Sequence, residues 1–330
     1  MIIKNIKKIS VFLIACIICF FLMLETSLVS AQSLTESSYR SDYPTDSYSN
    51  ALGMNGVVLA YSTNSMYSNP ANLSFLLHPA TISFDHYYDA SNGVQFENLT
   101  SIVYKSDYQK IAVGLTLRNS GYGSIEKSLG LFSPANPDHR FKQIDFAVGY
   151  STKLLSTLSI GALFDLSNGS IKRSTQTKIN ETTASLSLGF MYFPAPGIQY
   201  GLALKGIGNT IEYTSQNGLN QIKTVQRHQS LALGIALHYP NATLSNQPYL
   251  NINVTNEKIF SRKGLLYELG LEVLPIPNIG LRTGYIYSPD LEGLTIGFGL
   301  NFHYFMIDYA LSPSPKSTNQ YQQLALSIKL

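Results

Sequence analysis

The feature that most constrains this chain is a period of two that returns in segment after segment. Ala184, Leu186, Leu188, Phe190 and Tyr192 share one parity, and Ser185, Ser187 and Gly189 share the other. The pattern recurs in Ile144/Phe146/Val148/Tyr150, in Leu231/Leu233/Ile235/Leu237/Tyr239 and in Leu294/Ile296/Phe298/Leu300/Phe302. It closes the chain in Leu324/Leu326/Ile328/Leu330. Side chains of a strand point alternately to opposite faces, so each segment has one apolar face and one small or polar face. Many such strands behind an export signal predict an all-β fold, an antiparallel transmembrane β-barrel with its apolar parity against lipid.

The signal is read at the N-terminus. Lys4, Lys7 and Lys8 form a basic start, residues 9–24 are apolar and uncharged, and Val29-Ser30-Ala31 offers a small-residue cleavage site. Residues 1–31 therefore read as a signal peptide, with a spanning anchor as the competing reading of the apolar run. Both cysteines, Cys16 and Cys19, fall inside it, so the remaining chain has neither a disulfide framework nor thiolate chemistry. Charged residues are 13% of the chain, well below the roughly one quarter of soluble domains. That deficit without a second long apolar run fits a barrel whose hydrophobicity is hidden in alternation. The formal charge of +3 gives no argument for nucleic acid as a partner.

Residues 32–50 are rich in Ser, Thr, Tyr and Asp without periodicity and read as a flexible leader. Residues 51–78 do not alternate either, yet carry Gly53, Gly56 and Asn69-Pro70-Ala71, and are expected to sit outside the barrel wall as a plug. Asn69-Pro70 is a turn initiator, and a short helix can begin at Pro70. From residue 79 onward, alternation and turn residues predict about 14 strands. They begin near Thr81, Val94, Lys110, Phe141, Leu158, Glu181, Ile198, Val225, Pro248, Lys263, Asn278, Leu291, Phe305 and Tyr321. Connections after strands two, four, six, ten and twelve are tight, and those after three, five, seven and thirteen are long and polar. This asymmetry predicts an outer-membrane barrel with tight turns and both termini on the periplasmic side. A water-soluble β-sandwich is the bland competitor, but it seldom keeps so many strands of about ten residues.

The inward parity is unusually small: Gly114, Gly149, Gly161, Gly189, Gly201, Gly234, Gly270, Gly284, Gly297 and Gly299 all fall there. Strand glycines mark either close approach of other backbone or points of curvature, so the lumen is filled by the plug or the wall merely bends. Among them lie Arg118, Asp145, Asp165, Lys205, Glu268, Glu272, Arg282 and Asp308. Glu272 and Arg282 flank the Pro275-Ile276-Pro277 turn nearly symmetrically, which predicts a luminal ion pair on facing strands. Its default role is structural. The six histidines show no metal-ligand spacing, and Gly206-Ile207-Gly208 lacks the helix and third glycine that a phosphate cradle needs. The expectation is a protein with no catalytic residues, no metal and no cofactor.

Ala51-Leu52-Gly53-Met54 followed by Tyr67-Ser68-Asn69-Pro70-Ala71-Asn72-Leu73 resembles the PorV/PorQ family of bacterial outer-membrane proteins, relatives of the fatty acid transporter FadL. Leu281-Arg282-Thr283-Gly284-Tyr285, Leu294-Thr295-Ile296-Gly297-Phe298-Gly299-Leu300 and Ile307-Asp308-Tyr309-Ala310 agree with it. The resemblance implies that Asn69, Pro70 and Ala71 belong to a plug inside a 14-stranded barrel. It also implies a role in type IX protein secretion, with cargo bearing C-terminal sorting domains and a surface sortase as partners. The alternative is a FadL-like transporter of hydrophobic small molecules, whose partners are outer-membrane lipid and a hydrophobic ligand.

Overall fold

A computed structural model of the protein describes residues 46–59, 62–76, 78–89, 95–106, 111–122, 140–172, 178–208, 210–215, 222–226, 229–239, 250–276, 278–289, 291–313 and 320–330. Residues 1–31, expected to be a signal peptide, the expected leader up to residue 45 and most of the long polar stretch before Arg140 lie outside the described residues.

The wall is built from β1 (Ala80–Asp89), β2 (Gln95–Ser106), β3 (Ile111–Tyr122), β4 (Arg140–Leu155), β5 (Leu158–Lys172), β6 (Lys178–Ala195) and β7 (Ile198–Ile207). A hairpin of β8 (Thr210–Ser215) and β9 (Ile222–Gln226) intervenes. The wall resumes with β10 (Ser230–Tyr239), β11 (Leu250–Ile259), β12 (Leu266–Ile276), β13 (Ile279–Ser288), β14 (Leu291–Asn301), β15 (Phe305–Pro313) and β16 (Gln320–Lys329). β1 pairs with β16, β7 with β10, and β5 with β6, so 14 antiparallel strands close into a barrel. Closure leaves no unpaired edge in the wall, which is what a sheet in hydrocarbon requires.

Two elements differ from the sequence reading. The segment starting at Val225 is not one wall strand: Val225 belongs to β9, and the wall strand begins at Ser230. The stretch after strand seven is the β8–β9 hairpin, paired onto Ile179–Thr182 of β6. The reason is height. β4, β5 and β6 run to 16, 15 and 18 residues, whereas about 9–11 tilted residues cross a bilayer. The excess stands clear of lipid, and β8–β9 extends that standing sheet, where no lipid face imposes alternation.

β1 starts and β16 ends at one rim, called here the near rim. The turns at Ser156-Thr157, Pro196-Gly197, 277–278 and 302–304 share it. At Gly197 the chain reverses with φ +81°, which glycine adopts without penalty. The contrast between rims is less clean than expected: far-rim connections at 260–265 and 289–290 are also short, and residues 240–249 join β10 to β11 at the near rim.

The predicted apolar parity faces outward. Leu115, Phe146, Phe164, Leu188, Leu237, Leu269, Ile296 and Leu324 are all exposed large hydrophobic residues, as a lipid-contacting band demands. Exposed Tyr104, Tyr150, Tyr239 and Tyr304 ring the near end, and the cross-strand pair Tyr267–Tyr287 lies toward the far end, its rings 6.3 Å apart. With Trp absent, tyrosine supplies the interfacial belts.

Residues 46–76 fill the lumen. The helix α1 (Ser47–Ala51) is capped by Asp46, whose Oδ1 accepts from Ser49 N at 2.7 Å. Two 3-10 turns follow, Thr63–Tyr67 and Pro70–Phe75. The path makes a circuit of the barrel. Asn50 bonds Gln323 of β16, Gly53 N donates to Thr295 of β14, and the Asn55 amide bonds the Thr255 hydroxyl of β11. Thr63 meets Ser101 of β2, Asn64 meets Asp85 of β1, and Ser74 meets Ser151 of β4. The boundary set at residue 51 therefore falls too late, because Asp46 to Asn50, assigned to a flexible leader, is buried helix and cap. Its polar composition reads as leader, yet inside a polar lumen polarity is what burial needs.

The glycines of the inner parity meet this plug. A Cβ on Gly161 would overlap the Pro70–Ala71 backbone, one on Gly201 the Val57 carbonyl, and one on Gly284 the Leu52–Gly53 peptide. Gly114 and Gly149 lie under the Met66 sulfur, within a cluster of Met66, Leu73, Leu76, Val103, Ala147 and Leu163. Close approach, not curvature alone, accounts for these positions. Gly284→Ala should therefore push a methyl into backbone and destabilise the protein by about 1–3 kcal/mol, the usual cost of overpacking. The thermal midpoint of heat-modified electrophoretic mobility should fall. Planar-bilayer recordings should show ion leak that the parent lacks. An unchanged midpoint without leak would mean that the plug is not seated on the wall here.

Candidate functional site

Asn69, Pro70 and Ala71 lie at the tightest point between plug and wall. Asn69 is extended at φ −158° and caps the 3-10 turn, its Oδ1 accepting from Ala71 N at 3.1 Å. Pro70 occupies the first helical position, where its missing N–H is not needed. The Asn69 amide Nδ2 donates both to Val57 O within the plug, at 2.8 Å, and to Phe190 O on β6, at 3.1 Å. One side chain thus fastens a turn, a neighbouring segment of the plug and the wall. Ala71 is fully buried, and its carbonyl accepts from Ser159 Oγ at 2.9 Å. Asn72, the next residue, donates to Gly56 O and Leu59 O at 3.0 and 3.2 Å, tying the two arms of the plug together.

Glu272 and Arg282 are register partners on β12 and β13, and Arg282 Nε donates to Glu272 Oε1 at 2.8 Å. The pair is part of a larger latch. Arg282 Nη1 reaches Asp308 on β15 at 2.5 Å, across the whole width of β14. Gly299 makes the crossing possible, since a Cβ there would strike the guanidinium and the Asp308 carboxylate. From the plug, Tyr48 lays its ring over the guanidinium, 4.2 Å from centroid to Cζ, and donates its hydroxyl to Glu272 Oε2 at 2.6 Å. The sequence reading placed Asp308 on the luminal parity without joining it to Arg282, and it did not single out Tyr48. A small residue on the strand between two luminal charges is the available signal, but using it requires the register.

The same device recurs nearer the far rim. Lys205 on β7 pairs with Glu257 on β11 at 2.7 Å, across Ser230 and Ala232 of β10. Glu268 on β12 lies beside them, buried, with its Oε2 lacking a hydrogen-bond partner among the described residues. Arg118 and Asp145 are register partners on β3 and β4. No group of three or more potential metal ligands occurs among the described residues.

Removing the cation of the latch strands two buried carboxylates. Arg282→Met should destabilise the barrel by about 3–5 kcal/mol, while the triple change Glu272→Leu, Arg282→Met and Asp308→Leu should recover much of that loss. Urea unfolding in lipid vesicles measures both. Equal destabilisation by the single and triple variants would show that packing, not uncompensated charge, dominates.

No family model matches the chain, and no curated protein matches it. Solved structures do. The toluene transporter TbuX of Ralstonia pickettii is similar with a TM-score of 0.62 at 15% identity, over 86% of this chain and 98% of that one. The Pseudomonas putida toluene transporter TodX gives 0.57 at 14%, over 85% and 96%. A Pseudomonas aeruginosa FadL homologue gives 0.59 at 11%, over 86% and 98%. A match of that extent exceeds the barrel alone and takes in the plug. These relatives are channels and transporters, not enzymes, and no family model supports the resemblance to PorV/PorQ. The chain has the plugged, 14-stranded fold of the FadL-like outer-membrane barrels.

Proposed function

We propose that this protein passes hydrophobic small molecules across the outer membrane, with its near rim toward the periplasm. The observation that carries this reading is the shared arrangement of plug and barrel, over nearly the full length of TbuX and TodX, which are described as toluene transporters. A plug seated on glycines closes the axis to ions and water, so the barrel suits solutes that can use lipid as well as lumen.

The wall has a weak point for such a route. Between Leu186↔Ile207 and Leu188↔Leu204, β7 carries one more residue than β6. Gly206 stands there at φ +74°, and its N–H is taken by the Ser187 hydroxyl at 3.2 Å. On that side the β6–β7 ladder stops at Leu186 and the β6–β8 ladder starts at Thr182, so the two ladders do not run into each other. Leu186, Leu188, Leu204 and Ile207 border the break. An apolar solute leaving the lumen here would enter hydrocarbon without crossing an intact ladder.

Type IX export, with sorting-domain cargo and a surface sortase, is the second reading. It is favoured by the Asn69-Pro70-Ala71 resemblance and by the tall β4–β6 wall with its added hairpin, a surface that a partner could use. Deleting the gene separates the two: growth on a monoaromatic hydrocarbon should slow while surface protein secretion stays intact. Lost secretion with normal growth would overturn the preference. For the route, Leu186→Cys with Ile207→Cys places thiols on antiparallel partners, within disulfide range. Oxidation should cut uptake by an order of magnitude (~1.4 kcal/mol at the barrier), and reductant should restore it. Unchanged uptake in the oxidised form would exclude this route.

A further inference from the structure

Beneath the plug, at the near-rim seam between the first and last strands, lies a cavity of about 30 Å³. Ser62, His78, Thr81, Asn301, Ser327 and Lys329 contribute to its lining. Roughly 10–15 Å³ of such space holds one water, so the cavity admits about two waters or one small polar head, not a whole solute.

Its charges are one-sided. Lys329 is only 9% exposed, and its ammonium donates to Phe302 O at 2.9 Å and to Asn301 Oδ1, both neutral oxygens. Lys105 approaches the same corner, with its Nζ donating to Leu76 O at 2.5 Å. Partial burial, helped by the neighbouring Lys329, Lys105 and His303, holds the His78 imidazole below its ordinary value. The acids at this end are committed elsewhere: Asp308 to Arg282, and Asp46 to the backbone N–H and hydroxyl of Ser49. A largely buried ammonium hydrogen-bonded only to neutral oxygens, with Asp308 acting on it from a distance and already bonded to Arg282, is an expensive arrangement unless a nearer anion completes it.

We infer that this cavity binds a small anion, the carboxylate or phosphate class, held by Lys329 and His78. Such an anion would sit where the plug leaves the lumen at Leu76 and where β1 and β16 meet in the Thr81↔Lys329 pair, joining plug exit to barrel seam. The site is independent of what crosses the wall. Its anion comes either free from the aqueous phase or as the head of an amphiphile.

The test uses the whole mature chain in octyl glucoside micelles, with its histidines carbon-13 labelled. Inorganic phosphate, acetate and octanoate are titrated against chloride at constant ionic strength. The resonance of His78, assigned through His78→Gln, should move saturably and its titration should shift upward as the anion binds. Lys329→Gln should weaken binding by about tenfold or more, as loss of a charge-assisted contact implies, while Lys329→Arg should retain it. Octanoate binding at least about tenfold tighter than acetate identifies an amphiphile head, and similar affinities identify a free anion. Should Lys329→Gln not fold, calorimetry on His78→Gln replaces it, and loss of phosphate binding is expected there. No saturable shift with any probe at tens of millimolar, or unchanged affinity in the variants, overturns the site.

Discussion

The close approach of plug backbone to the inner face of the wall is the contact on which the rest depends. It is possible only where the wall has no side chain. Gly161, Gly201, Gly270 and Gly284 meet plug peptides directly. A Cβ at any of them would hold the plug off the wall and separate the hydrogen-bond partners that fasten it. The polar plug is stable inside because its backbone donors and acceptors find partners, Thr295 accepting from Gly53 N and Asn72 donating to the carbonyls of Gly56 and Leu59.

The luminal charges obey the same geometry. Arg282 reaches Asp308 over Gly299, and Lys205 reaches Glu257 over Ser230 and Ala232. Each bridge therefore spans three strands and not two, holding the wall's inner face laterally as the ladder holds its backbone. Tyr48 then links the larger bridge to the plug, so charge, wall and plug form one connected network.

The barrel was legible in the sequence because lipid imposes a rule that water does not. Wherever a strand crosses hydrocarbon, one parity must be apolar, and wall strands as different as β1 and β16 were placed within a few residues. The rule lapses above the membrane, where β8 and the first residues of β9 read as a polar loop and the end of β9 as the start of a wall strand. It lapses again in the lumen, where residues 47–50 read as leader although they belong to the helix Ser47–Ala51, packed against β13 to β16. Glu272 and Arg282 were legible because a tight turn fixed their register. Arg282 and Asp308 are 26 positions apart across two turns, and no local pattern carries that distance.

A seated plug and the proposed transport pull against each other, and the distribution of bonds shows how the conflict can be resolved. Moving the plug along the axis would break the Asn69 amide from Phe190 O, Tyr48 from Glu272, and the packing of Met66 and Leu73 against Val103, Ala147 and Leu163 of the wall. At about 1 kcal/mol or more for each buried bond, and more for each side chain, that is comparable to the margin by which such a domain is stable. The β6–β7 break asks for far less. Its extra residue has already left the ladder, and Ser187 holds Gly206 by one hydroxyl bond. Of the two motions, widening the wall is the one whose cost is compatible with a plug that stays in place.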